Sequence, residues 1–121
     1  MAKKKFINVV FTNCPDPARR EEFDRWYIHM HLRDLKNTKG LVRARRFKNL
    51  NPDEEPSQTM TLYEFESDDW EASINELNMT AANAFTEGRH IDVFELKGLY
   101  QYEEIDPASL KPLEDEHPYK M

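Results

Sequence analysis

The chain of 121 residues contains little cysteine and glycine and no long hydrophobic run. Its one cysteine, Cys14, cannot form an internal disulfide and fits a reducing compartment. Three glycines are too few for a glycine-rich phosphate loop, so no nucleotide or flavin cofactor is expected. The apolar stretch after the basic residues 1–5 is interrupted by Asn8 and Thr12, which argues against a secretion signal and a membrane span. We therefore expect a cytoplasmic protein with no membrane partner.

A net positive charge is also lacking, because 23 Asp and Glu outnumber 17 Lys and Arg and give a formal net charge of -6. A nucleic-acid-binding surface needs a basic footprint that this chain lacks, so no nucleic-acid partner is expected. The one basic cluster lies in an alternating apolar segment, which favours a strand whose arginines face water or a pocket; it comprises Arg43, Arg45, Arg46 and Lys48. The length fits one domain with a modest core, which is small for an enzyme that must also enclose a pocket.

Hydrophobic periodicity predicts four strands and two helices. We expect strands at residues 6–12, 41–48, 58–66 and within 93–103, most clearly at 98–103. One helix is expected from about 17 to 36, capped by Asp16, and a second after the cap residues 67–69. Prolines and charges after residue 105 predict a domain at 1–105 and an extended arm at 106–121.

The order strand, helix, strand, strand, helix, strand is typical of the ferredoxin-like α+β fold. Right-handed crossovers place both helices on one face of a four-stranded antiparallel sheet. The strands carry apolar residues on both faces, so the face without helices would expose a large apolar patch. We expect a second copy of the chain to cover it.

The first predicted helix places ionisable groups between aromatic and aliphatic residues. At roughly 100° of rotation per residue, one apolar arc contains Phe23, Trp26, Tyr27 and Met30, and a second contains Ile28, Leu32 and Leu35. His31, Asp34 and Asp24 project from the gap between the arcs. We therefore expect His31 to be partly buried, with Tyr27 and Asp34 as its neighbours.

This pattern resembles the EthD-like branch of the dimeric alpha-beta barrel superfamily over roughly residues 5–104. The matching positions are Phe23, Trp26, Tyr27, His31, Asp34, Gly40, Arg43 and Arg46. The resemblance implies a homodimer whose two sheets form a barrel, with a cleft between helices and sheet that contains His31. It leaves the reaction open, because the superfamily includes isomerases, cyclases, lyases, cofactor-free monooxygenases, haem-degrading enzymes and proteins of no assigned activity. His29 stands where an acid or amide is expected.

An imidazole can take a proton from a phenol or an activated carbon and return it elsewhere. We expect His31 to carry the proton, Asp34 to orient it, and Tyr27 or an arginine to stabilise developing negative charge. The candidate substrate-binding residues are Trp26, Arg43, Arg46, Tyr63, Phe65 and His90. The sequence thus predicts a cofactor-independent lyase or isomerase acting on a small aromatic or hydrophobic metabolite.

Several alternatives stay open. The same cleft could serve a cofactor-free monooxygenase of an electron-rich aromatic, a haem-binding protein, or a non-catalytic carrier of a hydrophobic metabolite. His31 could also be a core histidine bonded to Asp34 and nothing more. A metal site using His31, Asp34 and His90 is conceivable, but no paired ligand motif is present and no metal is expected. Cys14 has no basic neighbour in sequence to activate it, which favours a bystander thiol.

Overall fold

One antiparallel sheet forms the frame of the computed structural model, which describes residues 3–113. Its strands are β1 (Lys4–Asn13), β2 (Leu41–Lys48), β3 (Thr59–Ser67) and β4 (Glu95–Glu103), in the spatial order β2-β3-β1-β4. The predicted bounds of β2 are confirmed, β1 is longer than expected, and β4 lies within the predicted range 93–103. The predicted ferredoxin-like α+β fold is therefore confirmed.

The helix predicted at residues 17–36 is confirmed as a continuous helical region of four segments. A 3₁₀ turn (Pro17–Arg19) leads into α1 (Arg20–Trp26), a π-helix (Tyr27–His31) and a last turn, α2 (Leu32–Leu35). Asp16 caps the region, because its Oδ1 accepts a hydrogen bond from the Ala18 amide at 3.0 Å. The π-helix was not predicted, and it holds both Tyr27 and His31.

The second helix, α3 (Trp70–Thr86), begins at Asp69, whose Oδ1 accepts from the Ala72 amide at 3.1 Å. Both helical regions pack on the same face of the sheet, as expected. One core cluster there combines helix residues Leu35 and Leu77 with sheet residues Phe6, Val10, Tyr63 and Phe65. A second cluster contains Cys14, Phe23, Tyr27 and Val93. The space between helices and sheet therefore lies beside the first helical region.

The opposite side of the sheet, which we call the outer face, is also rich in apolar residues. It carries Ile7, Val9, Phe11, Phe47, Met60, Leu62, Tyr100 and Tyr102. Val42, at the register shift in β2, lines the same surface pocket as Ile7 and Tyr102. Val42 and Tyr102 are each 58% exposed. The expected apolar character of both sheet faces is therefore confirmed.

The segment after β4 is exposed as far as residue 113 and contains a 3₁₀ turn at Pro107–Ser109. The rest of the predicted arm, including His117, lies outside the described residues, and the boundary at residue 105 stays a prediction. Within residues 3–113, none of the helices combines the length and apolarity needed to cross a membrane.

Candidate functional site

A cavity of about 150 Å³ lies between the helices and the sheet, and we call it the His31 cavity. Its polar lining residues are Asn8, Tyr27, His31, Tyr63 and Asn78. Its apolar lining residues are Val10, Leu35, Leu77, Ala81, Phe85, Phe94, Leu96 and Leu99. A small apolar chamber with a few converging polar groups is the usual composition of a small-molecule site.

His31 ends the π-helix and is 5% exposed, so its expected burial is confirmed. The Trp26 ring stacks on the imidazole at a centroid distance of 5.0 Å, and Tyr27 meets it edge-on at 4.9 Å. Burial lowers the pKa of His31 to about 4, since desolvation penalises the charged form. Asp34 partly opposes that effect and Arg46 adds to it. The imidazole is therefore neutral near pH 7.

Asn8 also lines the site, although it was not among the residues predicted from the sequence. It is 2% exposed, and it lines the cavity from the helix side of β1, between Phe6 and Val10. Asn8 Oδ1 and His31 Nδ1 are both buried, and neither has a hydrogen-bond partner within residues 3–113. A polar residue between the apolar Phe6 and Val10 on one face of the strand was the available sequence signal. The two groups give the cavity unused hydrogen-bonding capacity.

Tyr27 and Tyr63 line the cavity side by side, as expected from the sequence. Their hydroxyl oxygens are 3.3 Å apart, and both side chains are almost fully buried. Burial raises the pKa of Tyr63 well above its ordinary value, and the neighbouring Tyr27 adds to the shift. Tyr63 therefore stays protonated and can donate a hydrogen bond.

The expected role of Asp34 as the hydrogen-bonding partner of His31 is wrong. Arg89 binds both Asp34 oxygens, from Nε at 2.9 Å and from Nη2 at 2.8 Å. This guanidinium lowers the pKa of the Asp34 carboxyl, chiefly through the hydrogen bonds. A bidentate guanidinium is the stronger partner for a carboxylate, so His31 Nδ1 stays unpaired. Arg89 is 55 residues away in sequence, which left no local signal.

Neither predicted arginine lines the His31 cavity. Arg46, whose side chain is 7% exposed, binds Asp24 Oδ1 through Nη2 at 2.6 Å and lies 3.9 Å from the Tyr27 ring centroid. Nη1 also donates to Thr12 and Thr61, and Nη2 to Thr59, whereas the buried Nε has no hydrogen-bond partner within residues 3–113. Arg43 lies on the outer face and pairs with Glu64. Arg46 thus supports the wall of the cavity, while Arg43 is on the opposite side of the sheet.

Three further candidates lie near the cavity without lining it. Trp26 contacts His31 from the side, Phe65 packs edge-on against Trp70 at 5.0 Å, and His90 is exposed. In the part of the chain that the structure describes, no group of three or more His, Cys, Asp or Glu side chains could hold a metal ion. Asp34 is already occupied by Arg89.

Comparisons with known proteins identify the architecture. Neither a family model nor a curated protein sequence matches the chain. Solved structures do match, among them HapK from Hahella chejuensis, with a TM-score of 0.63, 13% identity, and coverage of 83% of this chain and 92% of that one. The chain shares its ferredoxin-like fold with that protein.

Two further matches have the same fold. An EthD family protein from Bacillus halodurans has a TM-score of 0.55 at 14% identity, covering 84% of this chain and 99% of the other. A DABB family protein from Mesorhizobium loti has a TM-score of 0.56 at 14% identity, covering 85% and 97%. The resemblance found in the sequence is therefore confirmed at the level of the fold.

Proposed function

We propose that this protein is a cofactor-independent lyase or isomerase in which His31 moves a proton on a molecule held in the cavity. The main support for this proposal is that His31 and Asn8 both line the mostly apolar His31 cavity. Each has a buried polar atom that lacks a hydrogen-bond partner within residues 3–113. An unpaired buried polar group costs about 1–3 kcal/mol. Both atoms have almost no exposed surface in the free protein, so a ligand that reaches them after a small side-chain movement would offset that cost.

The cavity volume limits the size of the substrate. A volume of about 150 Å³ matches that of an apolar protein cavity known to accept one benzene ring. Phe85, Leu96 and Leu99 line the cavity and are partly exposed, which supports a route of entry beside them. We infer a monocyclic aromatic or cyclic unsaturated substrate that carries an oxygen; a macrocycle the size of haem would not fit.

The chemistry follows from the neutral state of the imidazole. His31 can take a proton from an acidic carbon or hydroxyl of the substrate and form an ion pair with the resulting anion. That anion would raise the pKa of His31, because opposite charges at short distance stabilise each other. The Tyr63 hydroxyl can donate a hydrogen bond to the substrate oxygen, and Asn8 Oδ1 can accept one from a substrate hydroxyl. Return of the proton to another carbon completes an isomerisation. Delivery of the proton to a leaving group, as the bond from that group to carbon breaks, completes an elimination.

Deuterium exchange tests this proposal without knowledge of the physiological substrate. Monocyclic phenols and cyclic enones would be incubated with the protein in D₂O, and carbon-bound deuterium would be measured by mass spectrometry. We expect exchange with at least one compound, reduced about 10²- to 10⁴-fold in His31→Gln. His90→Gln is the matched control, because His90 is exposed and outside the cavity lining. Equal exchange in all three proteins would contradict the proposal.

Two further measurements on the same proteins distinguish the alternative functions. A monooxygenase would need dioxygen, so product formation that stops under strict anaerobiosis would favour that reaction. A carrier would retain a monocyclic ligand through purification and catalyse no exchange. Either result would replace the lyase or isomerase assignment.

We also propose that the protein is a cytoplasmic homodimer. The apolar outer face supports a second copy as its cover, because monomers rarely expose a patch of this extent. Pairing of sheets across that face would leave the His31 cavity within each subunit, since the cavity lies on the helix side. The single, buried thiol of Cys14 supports a reducing compartment.

A further inference from the structure

A second cavity, of about 180 Å³, lies where β1 and β2 end and α1 begins. Its lining shares no residue with that of the His31 cavity. The residues that matter for its chemistry are Arg20, Phe23, Asp24, Lys48 and Pro52. No step of the proposed reaction uses it.

The uncharged polar groups of this second cavity are already engaged. Gln58 Oε1 accepts from the Cys14 amide at 2.9 Å, and Asn49 Nδ2 donates to the Ser57 carbonyl at 2.9 Å. The Thr59 hydroxyl is hydrogen-bonded to the Thr12 hydroxyl at 2.8 Å and accepts from Arg46 at 3.0 Å. Because these groups already form hydrogen bonds within the protein, the charged residues are the ones available to bind a ligand.

Two cations in the lining, Arg20 and Lys48, have no ion-pair partner among residues 3–113. Arg20 Nε is buried and also lacks a hydrogen-bond partner there. The arginines that do contact a carboxylate are Arg19, Arg25, Arg43, Arg45, Arg46 and Arg89. Arg20 is therefore a half-buried guanidinium without a counter-ion.

Asp24 does not neutralise these two cations. It is the one carboxylate among the described lining residues, and Arg46 binds its Oδ1 at 2.6 Å. The Arg46 side chain is almost completely buried, so this pair is a fixed part of the wall. The positive charges of Arg20 and Lys48 therefore have no carboxylate partner among residues 3–113, although the net charge of the protein is -6.

We propose that the second cavity binds a compact oxyanion, a carboxylate or a phosphate group, between Arg20 and Lys48. A guanidinium offers paired donors that match an oxyanion, and an ammonium adds a second positive charge. Partial burial of Arg20 strengthens the interaction of its guanidinium with an oxyanion relative to open water. Phe23 and Pro52 provide an apolar wall for the carbon skeleton of a small organic acid.

The test uses the full-length protein and two probes, inorganic phosphate and succinate, with sodium chloride at equal ionic strength as the reference. Each probe would be titrated while Tm and backbone amide chemical shifts are recorded. We expect at least one probe to raise Tm saturably and to shift amides around residues 20 and 48. Preference for phosphate identifies a phosphoryl ligand, and preference for succinate identifies a carboxylate.

Variants connect any binding to the two cations. Arg20→Gln and Lys48→Gln should each weaken the apparent affinity about tenfold or more, since each removes a charged hydrogen-bond donor. Lys48 is exposed, so its variant remains informative even if Arg20→Gln folds poorly. Arg33→Gln, which removes an exposed arginine outside this cavity, should bind like the wild type. Non-saturable effects, or equal binding by all variants, would overturn the proposal.

Discussion

At the scale of single residues, His31 is a base that burial keeps uncharged. Desolvation is the largest influence on its pKa, and the nearby Asp34 carboxylate only partly opposes it. The structure explains why, because Arg89 already neutralises Asp34 through two hydrogen bonds. The imidazole is thus available to a ligand in its neutral form.

The pH dependence of stability should report this buried imidazole. Its pKa falls from the ordinary 6.5 to about 4 on folding, which corresponds to about 3 kcal/mol. Between these values the unfolded chain binds more protons than the folded one. The free energy of unfolding should therefore fall as pH decreases from 6.5 to 4. Urea unfolding at half-unit pH steps measures this slope.

The variant His31→Gln should lack most of that slope. Below pH 4, both proteins should lose stability in parallel, because Asp34, Glu64 and Asp92 have carboxyl pKa values lowered by arginine partners. Their stabilising effect is present above the unfolded carboxyl pKa and disappears as pH falls through the folded one. An unchanged slope between pH 4 and 6.5 in His31→Gln would contradict the burial argument.

Asp34 and Arg89 should behave as a structural pair. We expect Asp34→Asn and Arg89→Gln each to lower the free energy of unfolding by about 1 kcal/mol, because the pair is partly exposed and screened. In a double-mutant cycle, the second substitution should change the free energy of unfolding only slightly once the first is present. Suppose that Asp34→Asn abolished deuterium exchange into the substrate while Arg89→Gln did not affect it. Asp34 would then have a direct catalytic role.

At the scale of elements, the π-helix positions the Tyr27 and His31 side chains relative to the cavity. A π-helix makes wider turns than an α-helix, and such turns are frequent at functional sites. Here it contains Tyr27 and His31, whose rings are 4.9 Å apart beside the cavity. Regular α-helical rotation, which the sequence predicts for this segment, also places Tyr27 beside His31.

A turn after the first helical region depends on Gly40. Its φ is 88°, and an added Cβ would lie 2.9 Å from the Glu66 carbonyl oxygen. Gly40→Ala should therefore destabilise the protein by about 1–3 kcal/mol through backbone strain and the close contact. Gly88 also has a positive φ, of 79°, but its Cβ would meet open space.

Gly88→Ala is accordingly the matched control and should cost only the backbone penalty, about 1 kcal/mol. Thermal unfolding of the two variants side by side gives the comparison. If Gly40→Ala were as stable as Gly88→Ala, the close contact with the Glu66 carbonyl would have no energetic cost, which would contradict the prediction.

The elements were predictable because their signals are local. The alternation of β2 and the caps at Asp16 and Asp69 are local patterns, and the structure agrees with them. The site was less predictable because its determinants are pairings between distant segments. Nothing near Asp34 in sequence indicates Arg89, and nothing near Arg46 indicates that three threonines and Asp24 would use its donors.

At the scale of the whole molecule, a sheet with two apolar faces favours a homodimer. We expect light scattering to give twice the chain mass of 14.4 kDa. Val42→Asp should raise the dissociation constant about tenfold or more, because it would bury a carboxylate near Glu64 and Glu66. Leu50→Asp is the control, since Leu50 is 86% exposed outside the sheet. A wild-type monomer at all concentrations would contradict the dimer.

We propose that His31 is a neutral base that is shielded from solvent and faces a ligand-binding cavity. An NMR titration of the His31 ring, assigned with His31→Gln, measures its protonation directly. We predict a pKa of about 4 in the free protein and perturbed ring resonances when a monocyclic phenol is added. Titration near the ordinary value of 6.5, with no response to any monocyclic compound, would contradict the claim.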